Sequence, residues 1–143
     1  MESDRNFVTF SCTLADDAVW DDKGNLVVPG GKTVADMIQN GLELRACKCT
    51  ELSQHSFYGW EFDASCDDGP MRCILAADEN GWLLQISQRR KFTSVWLRAS
   101  ATWTEFTARL HQFLKSDNRI GHVLWHTRED YEGRRSNKAS SEP

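Results

Sequence analysis

Five cysteines (Cys12, Cys47, Cys49, Cys66, Cys73) and four histidines (His55, His111, His122, His126) carry the reactive chemistry that this chain could offer. Cys47, Cys49, His55, Cys66 and Cys73 are the right residue types for zinc. Their spacing is not that of the familiar knuckles, in which two to four residues separate paired cysteines. On a strand, Cys47 and Cys49 share a face and could point two thiolates together, or else pack side by side in the core. A cysteine–histidine pair would suit nucleophilic catalysis, but no cysteine sits at a helix start or in a Gly-rich turn that would activate it. Glu61 and Asp63, two apart, could act as paired carboxylates for acid–base work. The same alternation is the ordinary dress of a solvated sheet face.

Pro29-Gly30-Gly31-Lys32-Thr33 places a Gly-rich turn before a helix, with a lysine and a threonine to follow. A phosphate cradle needs that arrangement, but the G-x-x-x-x-G-K-[ST] spacing is incomplete. A helix start behind two flexible residues accounts for the same letters. None of these groups is a catalytic constellation. No cofactor or metal is expected, and no catalytic residue is assigned.

Six tryptophans are many for 143 residues. Trp60, Trp82 and Trp125 fit strand-core positions, and Trp103 opens a helical stripe. Trp20 and Trp96 lie where no pattern accounts for them. Trp20 is the sharper case, because Asp16, Asp17, Asp21 and Asp22 surround it. Aromatic anchors are enriched at interface hot spots, and a ring of carboxylates steers encounter with a basic surface. These five residues are the candidate partner-binding patch.

The elements that must position such a patch are legible in part. Tyr58, Trp60, Phe62 and Ala64 alternate with Gly59, Glu61, Asp63 and Ser65, the period of two of a strand with one dry face. Met71 to Ala76 and then Trp82, Leu84 and Ile86 continue it between turns at 67–70 and 78–81, giving an antiparallel meander. Val8, Phe10, Cys12 and Leu14 predict a first strand, and Ile120 to His126 a last one. Val19-Trp20 and Leu26–Val28 flank a Lys-Gly-Asn turn and predict a small hairpin or strand extension. Glu43 to Glu51 predicts a further strand containing Leu44 and Ala46, and 53–57 a loop.

A short helix is predicted from Thr33 as N-cap, with Asp36 in the N3 position and Asn40-Gly41 as the stop. A second is predicted from a capping box at Thr102–Glu105, with Trp103, Phe106, Leu110, Phe113 and Leu114 on one face. Residues 91–100, with Phe92, Val95, Trp96 and Leu97, predict a loop or a short helical turn.

The expected fold is α+β: a single antiparallel sheet of about five to six strands with two helices packed on one face. Residues 1–126 form the domain, and 127–143, with one aromatic and no large aliphatic, form a flexible C-terminal tail.

Bulk properties narrow the function. The net charge is −4. Residues 1–25 alone carry that excess, with Glu2, Asp4, Asp16, Asp17, Asp21 and Asp22 against Arg5 and Lys23. A nucleic-acid binder would show a basic stripe instead, and Arg89-Arg90-Lys91 is too short to make one. No apolar run is long enough to span a membrane. The polar, acidic N-terminus lacks the pattern of a secretory signal, so a cytoplasmic protein with free, mostly buried thiols is expected.

Size, acidity and the absence of a catalytic motif are similar in style to small bacterial immunity proteins that neutralise a toxin. They are equally similar to small cytoplasmic adaptor or chaperone-like proteins. The expectation is a non-enzymatic protein that binds another protein with a basic surface. The alternative is a small-ligand binder or enzyme using a pocket between sheet and helices near His55, Glu61 and Asp63. A homodimer joined through a sheet edge or through 92–97 is a third reading.

Overall fold

Alternating apolar residues on the central strands create a dry sheet face, and two amphipathic helices cover it. The computed structural model describes residues 5–56, 58–66, 69–88 and 96–143, without the side chains of 96–101 and 136. In chain order the elements are β1 (Phe7–Cys12), β2 (Val19–Trp20), β3 (Leu26–Val28) and α1 (Lys32–Glu43). Then come β4 (Lys48–Cys49), β5 (Ser53–His55), β6 (Gly59–Ser65), β7 (Met71–Asp78) and β8 (Gly81–Gln88). Last are α2 (Trp96–Ser116), β9 (Ile120–His126), α3 (Arg128–Glu132) and a 3-10 turn at Ser136–Lys138.

The main sheet is antiparallel throughout, in the order β4-β6-β7-β8-β1-β9, with β5 also on the outer edge of β6. Hairpins β6–β7 and β7–β8 form the centre. β1 then inserts between β8 and β9, so the two ends of the fold are laced into one ladder. The fold is α+β, as the residue pattern predicts, with two substantial helices on one face and the short α3 on the other.

The dry face carries Val8, Phe10, Trp60, Phe62, Ala64, Met71, Cys73, Leu75, Trp82, Leu84, Ile86 and Trp125, all buried. Val34, Met37, Ile38 and Leu42 of α1 and Phe106, Leu110, Phe113 and Leu114 of α2 close over it. Each large aliphatic or phenyl side chain so buried contributes roughly 1.5–3 kcal/mol. The helices cross closely at Gly41, where an added Cβ would collide with the Phe113 ring.

Several local expectations are corrected. Gly41 does not stop α1 but lies inside it, buried, because the helical layer needs a residue without a side chain there. The helix ends at a turn in which Cys47 N–H returns to the Leu42 carbonyl (3.0 Å) and Ala46 takes a positive φ of 63°. That turn takes Leu44 and Ala46 out of any strand and leaves Leu44 85% exposed. Thr33 is not the N-cap of α1; Gly31 is. Residues 53–55 form a strand, since β5 pairs with the half of β6 that β4 leaves uncovered. Tyr58 precedes β6 and is exposed.

α2 begins at Trp96, so the Thr102–Glu105 box is helix interior, not a cap. Phe92 and Val95 lie outside the described residues. Residues 127–143, expected as a tail, hold α3 and a two-hydrogen-bond bridge between Ser140 and Trp125.

Cys47 and Cys66 are not free thiols but a disulfide, with Cα atoms 4.4 Å apart. The β4–β6 register, Lys48 opposite Ser65, brings the two cysteines directly across from each other. That separation suits a non-hydrogen-bonded antiparallel pair. Cys12, Cys49 and Cys73 are free. In denaturant without reductant, three of the five cysteines are therefore expected to take up an alkylating reagent, counted by mass spectrometry. Five would show that no such bond forms.

A second outcome tests the helix crossing. Gly41→Ala gains about 1 kcal/mol of helix propensity but overpacks the contact with Phe113, at a cost of about 1–3 kcal/mol. A lower denaturation midpoint is expected; an unchanged or raised one would mean that the phenyl ring moves aside freely.

Candidate docking surface

The acidic segment is built around three carboxylates that receive backbone donors. Asp16 Oδ1 accepts from the Ala18 amide (3.0 Å), a local turn of the kind aspartate favours. Asp17 reaches across fourteen positions of sequence to the start of α1. Its Oδ1 accepts from Gly31 N–H (2.7 Å), and its Oδ2 accepts from Thr33 N–H (3.0 Å) and the Thr33 hydroxyl (2.9 Å). A helix start leaves such amides unsatisfied and carries partial positive charge. The Gly31 cap has no side chain to serve them, so Asp17 does so from another element. Partial burial would raise the Asp17 carboxyl, but the Gly31 and Thr33 donors outweigh it and hold the group below the ordinary aspartate range.

Asp21 organises the β2–β3 turn. Its Oδ1 accepts from the amides of Lys23 (2.9 Å) and Asn25 (2.8 Å), and its Oδ2 from the Asn25 side chain (3.2 Å). Gly24 takes the positive φ of 81° that the turn needs. The Asn25 and Lys23 donors lower the Asp21 carboxyl. Asp22 is exposed on the same turn.

The hairpin these groups hold is not part of the main sheet. Trp20 is 61% exposed, Val19 48% and Val27 52%. The end of β3 is fixed from the core side, where the Trp60 indole donates to the Pro29 carbonyl (3.0 Å) and the Lys32 ammonium lies 5.6 Å over the Trp60 ring. Asp16, Asp17, Trp20, Asp21 and Asp22 thus belong to one hairpin and its two anchors. Val19 and Val27 join Trp20 in the exposed apolar group. The sequence holds no signal for them beyond two strands of two and three residues, too short to show a repeating period.

The remaining candidates are placed as follows. The phosphate cradle at Gly31 and Thr33 is occupied by the carboxylate of Asp17. Glu61 and Asp63 face away from the helices, so they line no space between helices and sheet. Glu61 Oε2 accepts from Arg72 Nε (2.9 Å) and Nη2 (2.7 Å), with His55 Nδ1 at 3.5 Å. The Arg72 bonds lower its carboxyl, which is the opposite of what a general acid needs.

Two free thiols are held protonated. Burial and the charge of Glu43 push Cys49 up to about 12, and burial pushes Cys73 well up. Neither is the low-pKa thiol of a nucleophile or a ready metal ligand. Among the described residues no group of three His, Cys, Asp or Glu side chains is placed to hold a metal ion. No helix among them is long and apolar enough to cross a membrane.

One imidazole–hydroxyl pair had no signal in the sequence. His126 Nε2 lies 2.8 Å from the Thr9 hydroxyl on the face opposite the two long helices. Burial holds His126 below the ordinary histidine value, against the pull of Asp78 and Asp130. Tyr131 covers it, with ring centroids 5.7 Å apart, and donates its hydroxyl to Asp78 (2.5 Å). These contacts seat α3 on the sheet. No family model, no curated protein and no solved structure matches this chain.

Asp17→Ala is expected to lower stability at neutral pH by about 0.5–2 kcal/mol, the range of a lost helix cap. Because the folded carboxyl titrates below the unfolded value of about 3.9, its contribution is present above that value. It is lost as pH falls through the folded one. The gap between wild type and variant should therefore narrow in acid, measured by urea titrations between neutral pH and strong acid; a constant gap would deny the carboxylate its role.

Proposed function

We propose that this chain is a non-enzymatic protein-binding protein that docks on a basic surface of another protein through its β2–β3 hairpin. An immunity-type inhibitor of a toxin and a small cytoplasmic adaptor are the two forms of that function its size and charge suit. One observation carries the reading: Trp20 stands 61% exposed, beside exposed Val19 and Val27, on a hairpin that contributes nothing to the main sheet. The backbone beneath is fixed by Asp17, Asp21 and the Trp60–Pro29 bond. A rigid aromatic tip loses little freedom on binding, which favours affinity. The excess negative charge of the segment complements a cationic partner and speeds the encounter.

The test begins with capture of the partner from native lysate and its identification. Binding of the purified pair is then measured with variants that leave the fold intact. Trp20→Ala is expected to weaken binding by about 2 kcal/mol or more, the scale of an interface hot spot. Asp22→Asn should slow association and flatten its salt dependence while leaving dissociation nearly unchanged. Unaltered affinity in Trp20→Ala would remove the hairpin from the interface.

A further inference from the structure

The C-terminal segment passes round one rim of the sheet. α3 lies on the face opposite the long helices, with the Tyr131 ring edge-on to Phe7 (5.3 Å). Beyond the Ser136–Lys138 turn, Ser140 sits antiparallel to Trp125 on the outer side of β9. Trp125 N–H donates to the Ser140 carbonyl (2.7 Å), and Ser140 N–H donates to the Trp125 carbonyl (2.8 Å). Two residues on, the Glu142 carboxylate lies 3.5 Å from His111 Nε2 on α2. The Trp125 indole can only donate, and it donates to His111 Nδ1 (3.0 Å). In the neutral imidazole the ring proton is thereby placed on Nε2, toward the carboxylate.

The rim accepts a strand over a short span only. Thr9 pairs with Leu124 and Ser11 with Gly121, so two β9 residues oppose Phe10. His122, one of the two, has a positive φ of 52°. This bulge bends the edge away and leaves the 124–126 half regular. What holds the segment there is small: two backbone hydrogen bonds and one carboxylate that is 74% exposed.

We propose that the β9 rim around Trp125 is a strand-accepting site, filled by residues 139–142 of its own chain and open to the same residues of a second copy. The seat already fits that sequence, and identical contacts form within one chain or between two. The proximity of the tether alone favours the intramolecular form. Arg134, with a φ of 56°, lies between α3 and Ser140 and is where the chain can change direction on exchange.

The test uses the full chain carrying Ser140→Pro, which lacks the amide that donates to Trp125, and a fluorescent peptide of residues 134–143. Hydrogen exchange should show the Trp125 amide protected in wild type, unprotected in the variant, and protected again when peptide is added. The peptide should bind the variant about tenfold or more tightly than wild type, whose own segment competes at high effective concentration. Wild type refolded at high concentration should yield some dimer by light scattering, and Ser140→Pro none. A Trp125 amide that stays protected in the variant, equal peptide binding to both proteins, or wild type that is monomeric at every concentration would each overturn the proposal.

Discussion

The close approach of α1 to α2 at Gly41 and Phe113 sets the rest of the molecule. A sheet with one dry face needs a lid of matching width, and each helix alone covers only part of it. Because Gly41 carries no side chain, the Phe113 ring fills the space at the crossing and the two helices form one layer. That layer encloses Trp60, Phe62, Leu75 and Leu84. It also fixes where α1 starts, beside the central strands, where a side chain on Gly31 would run into the Trp82 ring. The loop before α1 must then arrive at one point, and the hairpin before that loop inherits its position.

Asp17 turns this inherited position into a fixed one. Helix starts attract anions from solvent, but here the anion comes from the chain itself. One carboxylate satisfies two amides and a hydroxyl, and in doing so ties residues 13–18 to the helical layer. The acidic residues around Trp20 thus have unequal parts. Asp17 and Asp21 are occupied in holding backbone, whereas Asp22 projects its charge from the turn. The same cluster serves architecture and surface at once, which is why its composition alone suggests only the second.

Legibility in the sequence follows the number of residues that share a constraint. β6, β7 and β8 each run seven or eight residues with a buried face, so their alternation is visible without knowledge of their neighbours. The stripe of α2 is visible for the same reason, although its start is not. β5 has three residues and β4 two, and neither completes a second cycle of the two-residue alternation. Thr33 reads as a cap because local spacing shows only nearby partners; the carboxylate that serves the helix start comes from Asp17, fourteen positions before Gly31 and sixteen before Thr33. Gly41 reads as a stop because glycine usually marks one; its reason lies on another helix. The Cys47–Cys66 bond depends on strand register, which no spacing of cysteines reveals. Of the proposed docking surface, Trp20 and its acidic neighbours are legible from type and clustering. The exposure of Val19 and Val27 is not, because it depends on the hairpin standing apart from the main sheet.

The Cys47–Cys66 link stitches the least supported rim of the molecule to its interior. It joins positions nineteen apart in sequence. Closing a loop of about that size removes roughly 3 kcal/mol of freedom from the unfolded chain. The loop it closes holds β4, β5 and all of β6, and so includes both strands, β4 and β5, that the long hairpins do not secure on that side. A molecule assembled where thiols stay reduced would keep its centre, since β7, β8 and β1 are joined by backbone ladders alone. Its frayed border would then be the first place for a protease to enter.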